Sequence, residues 1–148
     1  MSVMTDIADA IASEINDQTW PLAFVAKRMN SPRIQRESAC DIAVIVTPKG
    51  KATETVSRNK SQDILTFYVG IQQALKNDDN RESDPLIELG ELIQAYFDQG
   101  LRLADYPTTV CEATSFGSDT DSPWMSIKDS DELLLYTGVI LLTFRVHR

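Results

Sequence analysis

The chain has 148 residues, 43% of them hydrophobic and 24% charged, which is typical of a globular protein long enough to bury a core. Its formal net charge of -8 argues against a dedicated nucleic-acid binder, because such proteins are normally basic. The acidic N-terminus does not resemble a signal peptide and no apolar run is long enough to span a bilayer, so we expect one domain over residues 1–148 in a reducing cytosol.

The first element predicted along the chain is a short amphipathic helix over residues 5–17. Ile7, Ile11 and Ile15 recur every fourth residue and therefore form one apolar stripe. Pro21 follows the helix and removes one backbone donor. The segment after it is therefore either irregular or an edge strand.

A long antiparallel hairpin is predicted next. Residues 39–47 are rich in β-branched side chains, and residues 62–75 alternate between apolar and polar. Pro48-Lys49-Gly50 is a turn signal, and the polar segment beyond it carries several bases. We therefore expect two paired strands joined by a basic tip.

The second half of the chain predicts a helix followed by two strands. Asp84-Pro85 is a favourable helix start and Gly100 a favourable end, although residues 101–106 can extend the helix by a turn. Residues 108–116 form the next predicted strand. The last strand, within residues 131–148, is apolar on both faces over most of its length, which is typical of the middle of a sheet or of a surface under another subunit.

These elements follow one another in the order α-β-β-β-α-β-β. Neither an internal repeat nor a low-complexity segment interrupts them. The order predicts an α+β fold in which two helices pack on a mostly antiparallel sheet.

Charge is unevenly distributed along the sequence. Residues 27–60 contain eight bases and three acids, whereas residues 78–132 contain fourteen acids and three bases. One interpretation is two solvated loop regions. The other is head-to-tail complementarity, in which the basic hairpin of one subunit contacts the acidic side of the next.

No motif in the sequence predicts catalysis, a cofactor or a metal. His147 is the only histidine and is the penultimate residue, so we interpret it as a solvated tail residue. Asp119 and Asp121 have carboxylates that suit calcium or magnesium, but the spacing does not match an EF-hand loop, and a solvated acidic loop is the preferred interpretation. Cys40 and Cys111 lie in apolar stretches and are expected to be buried thiols rather than a disulfide.

A few exposed-looking charged and aromatic residues are candidates for subunit or partner contact. Trp124 lies in a polar loop, either as a lid over the local core or as an exposed contact anchor. The basic hairpin lacks interleaved aromatic residues, so partner contact or solvation is preferred over phosphate binding. The candidate contact residues are Lys49, Lys51, Arg58, Lys60, Trp124, Asp119 and Asp121.

The order of elements and the final strand together resemble a known family. Residues 136–146 read Y-T-G-V-I-L-L-T-F-R-V, and an acidic loop bearing a tryptophan precedes them. This layout resembles the tail-terminator and minor tail proteins, including head–tail joining proteins, of long-tailed bacteriophages. The resemblance implies a structural protein of the virion that assembles in the host cytoplasm as a homo-oligomer, a hexameric ring in that family.

The same resemblance implies a set of partners and excludes others. The expected partners are copies of the chain and the tail-tube or head–tail connector proteins. DNA is expected only as passing cargo, and neither a membrane, nor a cofactor, nor catalysis is implied. The alternatives from the residues alone are a monomeric cytosolic binding or regulatory domain and, less favoured, a small metal-dependent enzyme built from the acidic loops.

Overall fold

A computed structural model describes residues 3–30, 42–57, 60–75, 80–98, 100–103, 106–117, 125–128 and 133–147. Within these ranges the chain folds into two helices and seven strands, which confirms the α+β class. In chain order the elements are α1 (Val3–Asn16), β1 (Ala26–Arg28), β2 (Ala43–Ser57), β3 (Lys60–Leu75), α2 (Asn80–Phe97), β4 (Arg102–Leu103), β5 (Tyr106–Gly117), β6 (Met125–Lys128) and β7 (Leu133–His147).

All seven described strands belong to one mixed sheet. Six of them follow the order β1-β2-β3-β7-β5-β4, and β6 pairs with the N-terminal part of β7, on the same edge of β7 as β5. Only β1 and β2 are parallel; the other described pairs are antiparallel. The predicted mostly antiparallel sheet is therefore confirmed, and the final strand lies in its interior, as expected.

The core lies between one face of this sheet and the two helices. The pairing of β3 with β7 runs without a register shift from Gln62↔His147 to Leu75↔Leu134, so alternate side chains of both strands share a face. On that face Phe144 lies edge-to-face with Phe67 of β3 and Phe97 of α2, at ring-centre distances of 5.9 and 6.3 Å. The isoleucine stripe of α1 and the apolar stripe of α2 complete the core: Ile7, Ile11, Ile15, Leu86, Leu89 and Ile93.

The predicted turn at Pro48-Lys49-Gly50 is wrong. Pro48 is opposite Phe67 within the hairpin ladder, the register shifts between Pro48 and Gly50, and β2 continues to Ser57. Lys49 is the extra residue of a β-bulge at this point. The bulge accommodates Pro48 within the strand, because a bulge tolerates a missing backbone donor. The hairpin itself is confirmed, but the chain reverses between Ser57 and Lys60.

The start of α2 and the segment after its end also differ from expectation. Helix α2 begins at Asn80, so Pro85 is its sixth residue. It lies beyond the first four amide positions, which have no helical acceptor, and its missing amide hydrogen therefore removes one helical hydrogen bond. The helix ends at Phe97, and Gly100 has a φ of 69°, a conformation in which the helix cannot continue. Residues 101–106 therefore do not extend the helix, and Arg102–Leu103 form β4 instead.

Two of the alternatives left open by the sequence have definite outcomes. The segment after Pro21 is irregular up to Val25 and then becomes the edge strand β1, so both interpretations hold in part. Cys111 is a buried free thiol, and burial raises its pKa to about 12. Cys40 lies outside the described residues.

Two adjacent leucines of β7 provide a test of this register. Leu142 is fully buried under the helices, whereas Leu141 points to the opposite face and is half-buried. We expect Leu142→Ala to lower the free energy of unfolding by about 2–5 kcal/mol, because it leaves a cavity. Leu141→Ala should lower it by about 1 kcal/mol, because less apolar surface returns to water.

Urea unfolding at protein concentrations low enough to keep the chain monomeric measures both values. Equal losses for the two variants would contradict the assignment of the faces.

Candidate assembly surface

One face of the sheet carries both described helices, and the other carries neither. The core side chains of β2, β3, β7 and β5 point toward α1 and α2. Their neighbours along each strand point the opposite way, since side chains alternate. We call this opposite surface the helix-free face.

The strand registers arrange the helix-free face in four rows, each crossing β2, β3, β7 and β5. The rows are Ile45, Gly70, Val139 and Gly117; Thr47, Tyr68, Leu141 and Ser115; Gly50, Thr66, Thr143 and Ala113; and Ala52, Ile64, Arg145 and Val110.

The rows combine small, hydroxyl-bearing and apolar side chains. Leu141 and Val139 are half-buried although they lie in the middle of the sheet, whereas Ser115 and Ala113 are exposed. Glycines pair with Val139 on both sides, so that row is shallow. The result is a low-relief surface with few charges, the type of surface that another protein can cover.

The charged side chains of the helix-free face are paired within the subunit. Arg145 donates a hydrogen bond of 2.7 Å to Glu112 and lies 3.6 Å from Glu54. The hydrogen bond to Glu112 raises the pKa of Arg145, so its charge is retained. The ammonium of Lys49 lies 5.0 Å from the ring centre of Tyr68, a cation–π contact.

The predicted basic residues of the hairpin do not form one cluster. Lys49 contacts Tyr68 on the helix-free face, whereas Lys51 lies on the opposite face, 3.7 Å from Asp63. Asp63 is only 2% exposed and also accepts a hydrogen bond of 2.9 Å from Thr53. Lys51 therefore compensates a buried charge within its own subunit.

The remaining predicted contact residues lie largely beyond what the structure describes. Lys60 is the first residue of β3, and its side chain is not described. Arg58, Trp124, Asp119 and Asp121 lie outside the described residues, so the structure gives them no position.

A second surface feature lies on the helix side of the sheet. A groove of about 320 Å³ lies between the segment after α1 and the C-terminal half of α2. We call it the aromatic groove, and Gln18, Thr19, Trp20, Pro21, Leu92, Ala95 and Tyr96 line it. In the sequence, Leu92 and Tyr96 flank the apolar stripe of α2, but no sequence pattern joins Trp20 to Tyr96.

A hydrogen bond between the two helices holds one wall of the groove. The hydroxyl of Tyr96 in α2 donates to the carboxylate of Glu14 in α1. Burial, this hydrogen bond and the negative charge of Glu14 raise the pKa of Tyr96 to about 12. The neutral tyrosine is therefore the form that joins the helices.

The described part of the chain supports neither a metal site nor a membrane-spanning helix. Among those residues, no group of three or more histidine, cysteine or acidic side chains is arranged to hold a metal ion. In the same ranges, no helix combines the length and apolarity needed to cross a bilayer. Neither a protein-family model nor a curated protein matches this sequence.

The raised pKa of Tyr96 predicts a pH-dependent difference between the wild-type protein and Tyr96→Phe. At pH 9 the variant should be less stable by about 1–2 kcal/mol, because it lacks the hydrogen bond to Glu14. The contribution of Tyr96 is present below its ordinary pKa of 10 and is lost as pH rises toward 12, so the difference should shrink.

Denaturant unfolding of both proteins at pH 9 and pH 11.5 measures this change. Other groups, including Cys111, titrate in both proteins and cancel in the comparison. A difference that stays constant across this range would contradict the assigned role of Tyr96.

Proposed function

We propose that this chain is a structural subunit that forms a ring at the tail end or head–tail junction of a tailed bacteriophage. The proposal rests on the resemblance of residues 136–146 and of the element order to tail-terminator and minor tail proteins. It also rests on the helix-free face, which is the observation that carries self-assembly. The proposed partners are copies of the chain and tail-tube or connector proteins.

The size of the helix-free face supports a protein contact. Four strands about 4.8 Å apart and four rows about 7 Å apart give a platform of roughly 500 Å². A standard protein interface buries about 800 Å² per partner. Ile45 and Thr47 are only 5% and 6% exposed, so the accessible area is smaller than this geometric figure. The face therefore supplies part of such an interface, mainly from β3, β7 and β5.

The composition of the face also favours contact with a second subunit. Leu141 and Val139 supply apolar surface at its centre, and hydroxyl groups surround them. Arg145 already has carboxylate partners, so a neighbour can cover it without burying an unpaired charge. In a closed ring this face contacts a different surface of the neighbour, because such interfaces are heterologous.

Among the described residues, head-to-tail charge complementarity is not the main support for assembly. Lys51 is paired with Asp63, and Arg145 is paired with Glu112 and Glu54, all within one subunit. Lys49 remains on the helix-free face, where a carboxylate of a neighbour can reach it. Shape and apolar contact therefore carry the proposed interface, and charge contributes at Lys49.

A monomeric binding domain is the second candidate function, and the aromatic groove favours it. Leu92 is 40% exposed at the groove, although it is a large apolar side chain. A binding site of this kind needs no ring. An enzyme is not proposed, since no described cluster of residues supports one.

Two matched serine substitutions test the assembly surface. Ser115 is exposed on the helix-free face opposite Leu141, and Ser13 is exposed on α1. Ser115→Arg places a long cation on the proposed interface, and we expect it to shift the equilibrium to monomers. Ser13→Arg makes the same change outside the helix-free face and should reduce assembly less than Ser115→Arg does.

Native mass spectrometry over a hundredfold range of protein concentration measures the oligomeric state of all three proteins. Circular dichroism checks that both variants fold. A wild-type chain that is monomeric throughout, or equal assembly of the two variants, would contradict the proposal.

A further inference from the structure

The aromatic groove presents mainly the apolar surface of its two rings, because the polar group on each ring already donates a hydrogen bond within the subunit. The indole N–H of Trp20 donates to the carbonyl of Ile15 at 2.8 Å, and the hydroxyl of Tyr96 donates to Glu14. The remaining surface of both rings faces the groove together with Leu92. An occupant therefore gains mainly by covering apolar surface.

The groove is built from side chains that hold one another in place. Trp20 stacks on Phe24 at 6.4 Å and meets Tyr96 edge-to-face at 6.0 Å. Tyr96 in turn contacts the buried Phe97 at 5.4 Å. Rings restrained in this way lose little freedom on binding, so the walls are preorganised for an occupant.

Exposed acidic side chains lie next to residues that line the groove. Glu88 and Glu91 are exposed on α2, one helical turn before Leu92 and Ala95, and Asp17 is exposed beside Gln18. Among the described residues, neither these three acids nor Glu14 forms an ion pair with a lysine or arginine. An apolar groove with an acidic rim favours a cationic occupant and disfavours nucleic acid or an anionic lipid.

We propose that the aromatic groove binds a segment of a partner protein in which apolar side chains are flanked by lysine or arginine. The volume of about 320 Å³ is at the lower end of the range for ligand sites, which suits two or three side chains. The segment lies on the helix side of the sheet. This binding is therefore a function beyond ring formation, and the groove can be occupied while the helix-free face contacts another subunit.

Three synthetic hexapeptides separate the apolar and electrostatic parts of this recognition. They are Lys-Lys-Leu-Leu-Lys-Lys, Lys-Lys-Ser-Ser-Lys-Lys and Glu-Glu-Leu-Leu-Glu-Glu, titrated into the full chain and followed by NMR at the Trp20 indole N–H and the Leu92 methyl groups. The leucine–lysine peptide should shift these signals. Its affinity should exceed that of either control by about tenfold or more and should fall severalfold as salt increases.

Matched variants test whether the acidic rim is responsible. Replacing Glu88 and Glu91 together with Gln should weaken binding of the leucine–lysine peptide by about fivefold or more, because exposed carboxylates attract the lysines. Glu54→Gln removes an exposed carboxylate on the opposite face and should leave binding of the leucine–lysine peptide unchanged. Leu92→Ser should weaken binding while circular dichroism stays unchanged, since Leu92 is exposed.

Two results would overturn the proposal. One is the absence of shifts at Trp20 and Leu92 with the leucine–lysine peptide, and the other is equal binding of the leucine–glutamate peptide. Ring formation is measured separately by native mass spectrometry. A monomeric chain that binds the leucine–lysine peptide would refute the ring and retain the groove.

Discussion

The structure depends on the continuous pairing of β7 with β3. Their ladder has no register shift, so it decides the face of every side chain in the middle of the sheet. Leu142 and Phe144 point toward the helices, while Leu141 and Thr143 point away. A slip of one residue would exchange these sets and expose the core, which is why such a register is strongly specified. The core and the helix-free face are therefore two consequences of one pairing.

This division gives the molecule two surfaces on opposite sides of the sheet. The helix-free face is low in relief, and its charged groups largely have partners within the subunit. The aromatic groove, in contrast, combines rigid rings with acids that have no described basic partner. The first suits a contact in which shape and apolar area dominate, and the second suits a basic segment. One subunit can therefore contact its own copies and a different partner at the same time.

The sequence predicts those features whose signal is local and periodic. The isoleucine spacing of α1, the alternation of β3 and the apolar final strand all appear in the structure, and Gly100 follows the end of α2. Short strands such as β4 exist because a neighbouring strand pairs with them, which local sequence does not encode. Lys49 and Lys51 are two residues apart and would share a face in a regular strand. The bulge between Pro48 and Gly50 changes the phase of alternation, and they point to opposite faces. The groove joins Trp20 to Tyr96 across the fold, and no pattern in the sequence links the two.

The most direct test asks whether the helix-free face lies in the interface between copies of this chain. It is hydroxyl-radical footprinting of monomeric and assembled fractions, read by mass spectrometry. The method reports the solvent exposure of individual side chains, and Tyr68 and Leu141 both react. Assembly should protect Tyr68 and Leu141, whichever surface of the neighbouring subunit covers them. Unchanged reactivity of Tyr68 and Leu141 in the assembled fraction would contradict the account, because the helix-free face would then lie outside the interface.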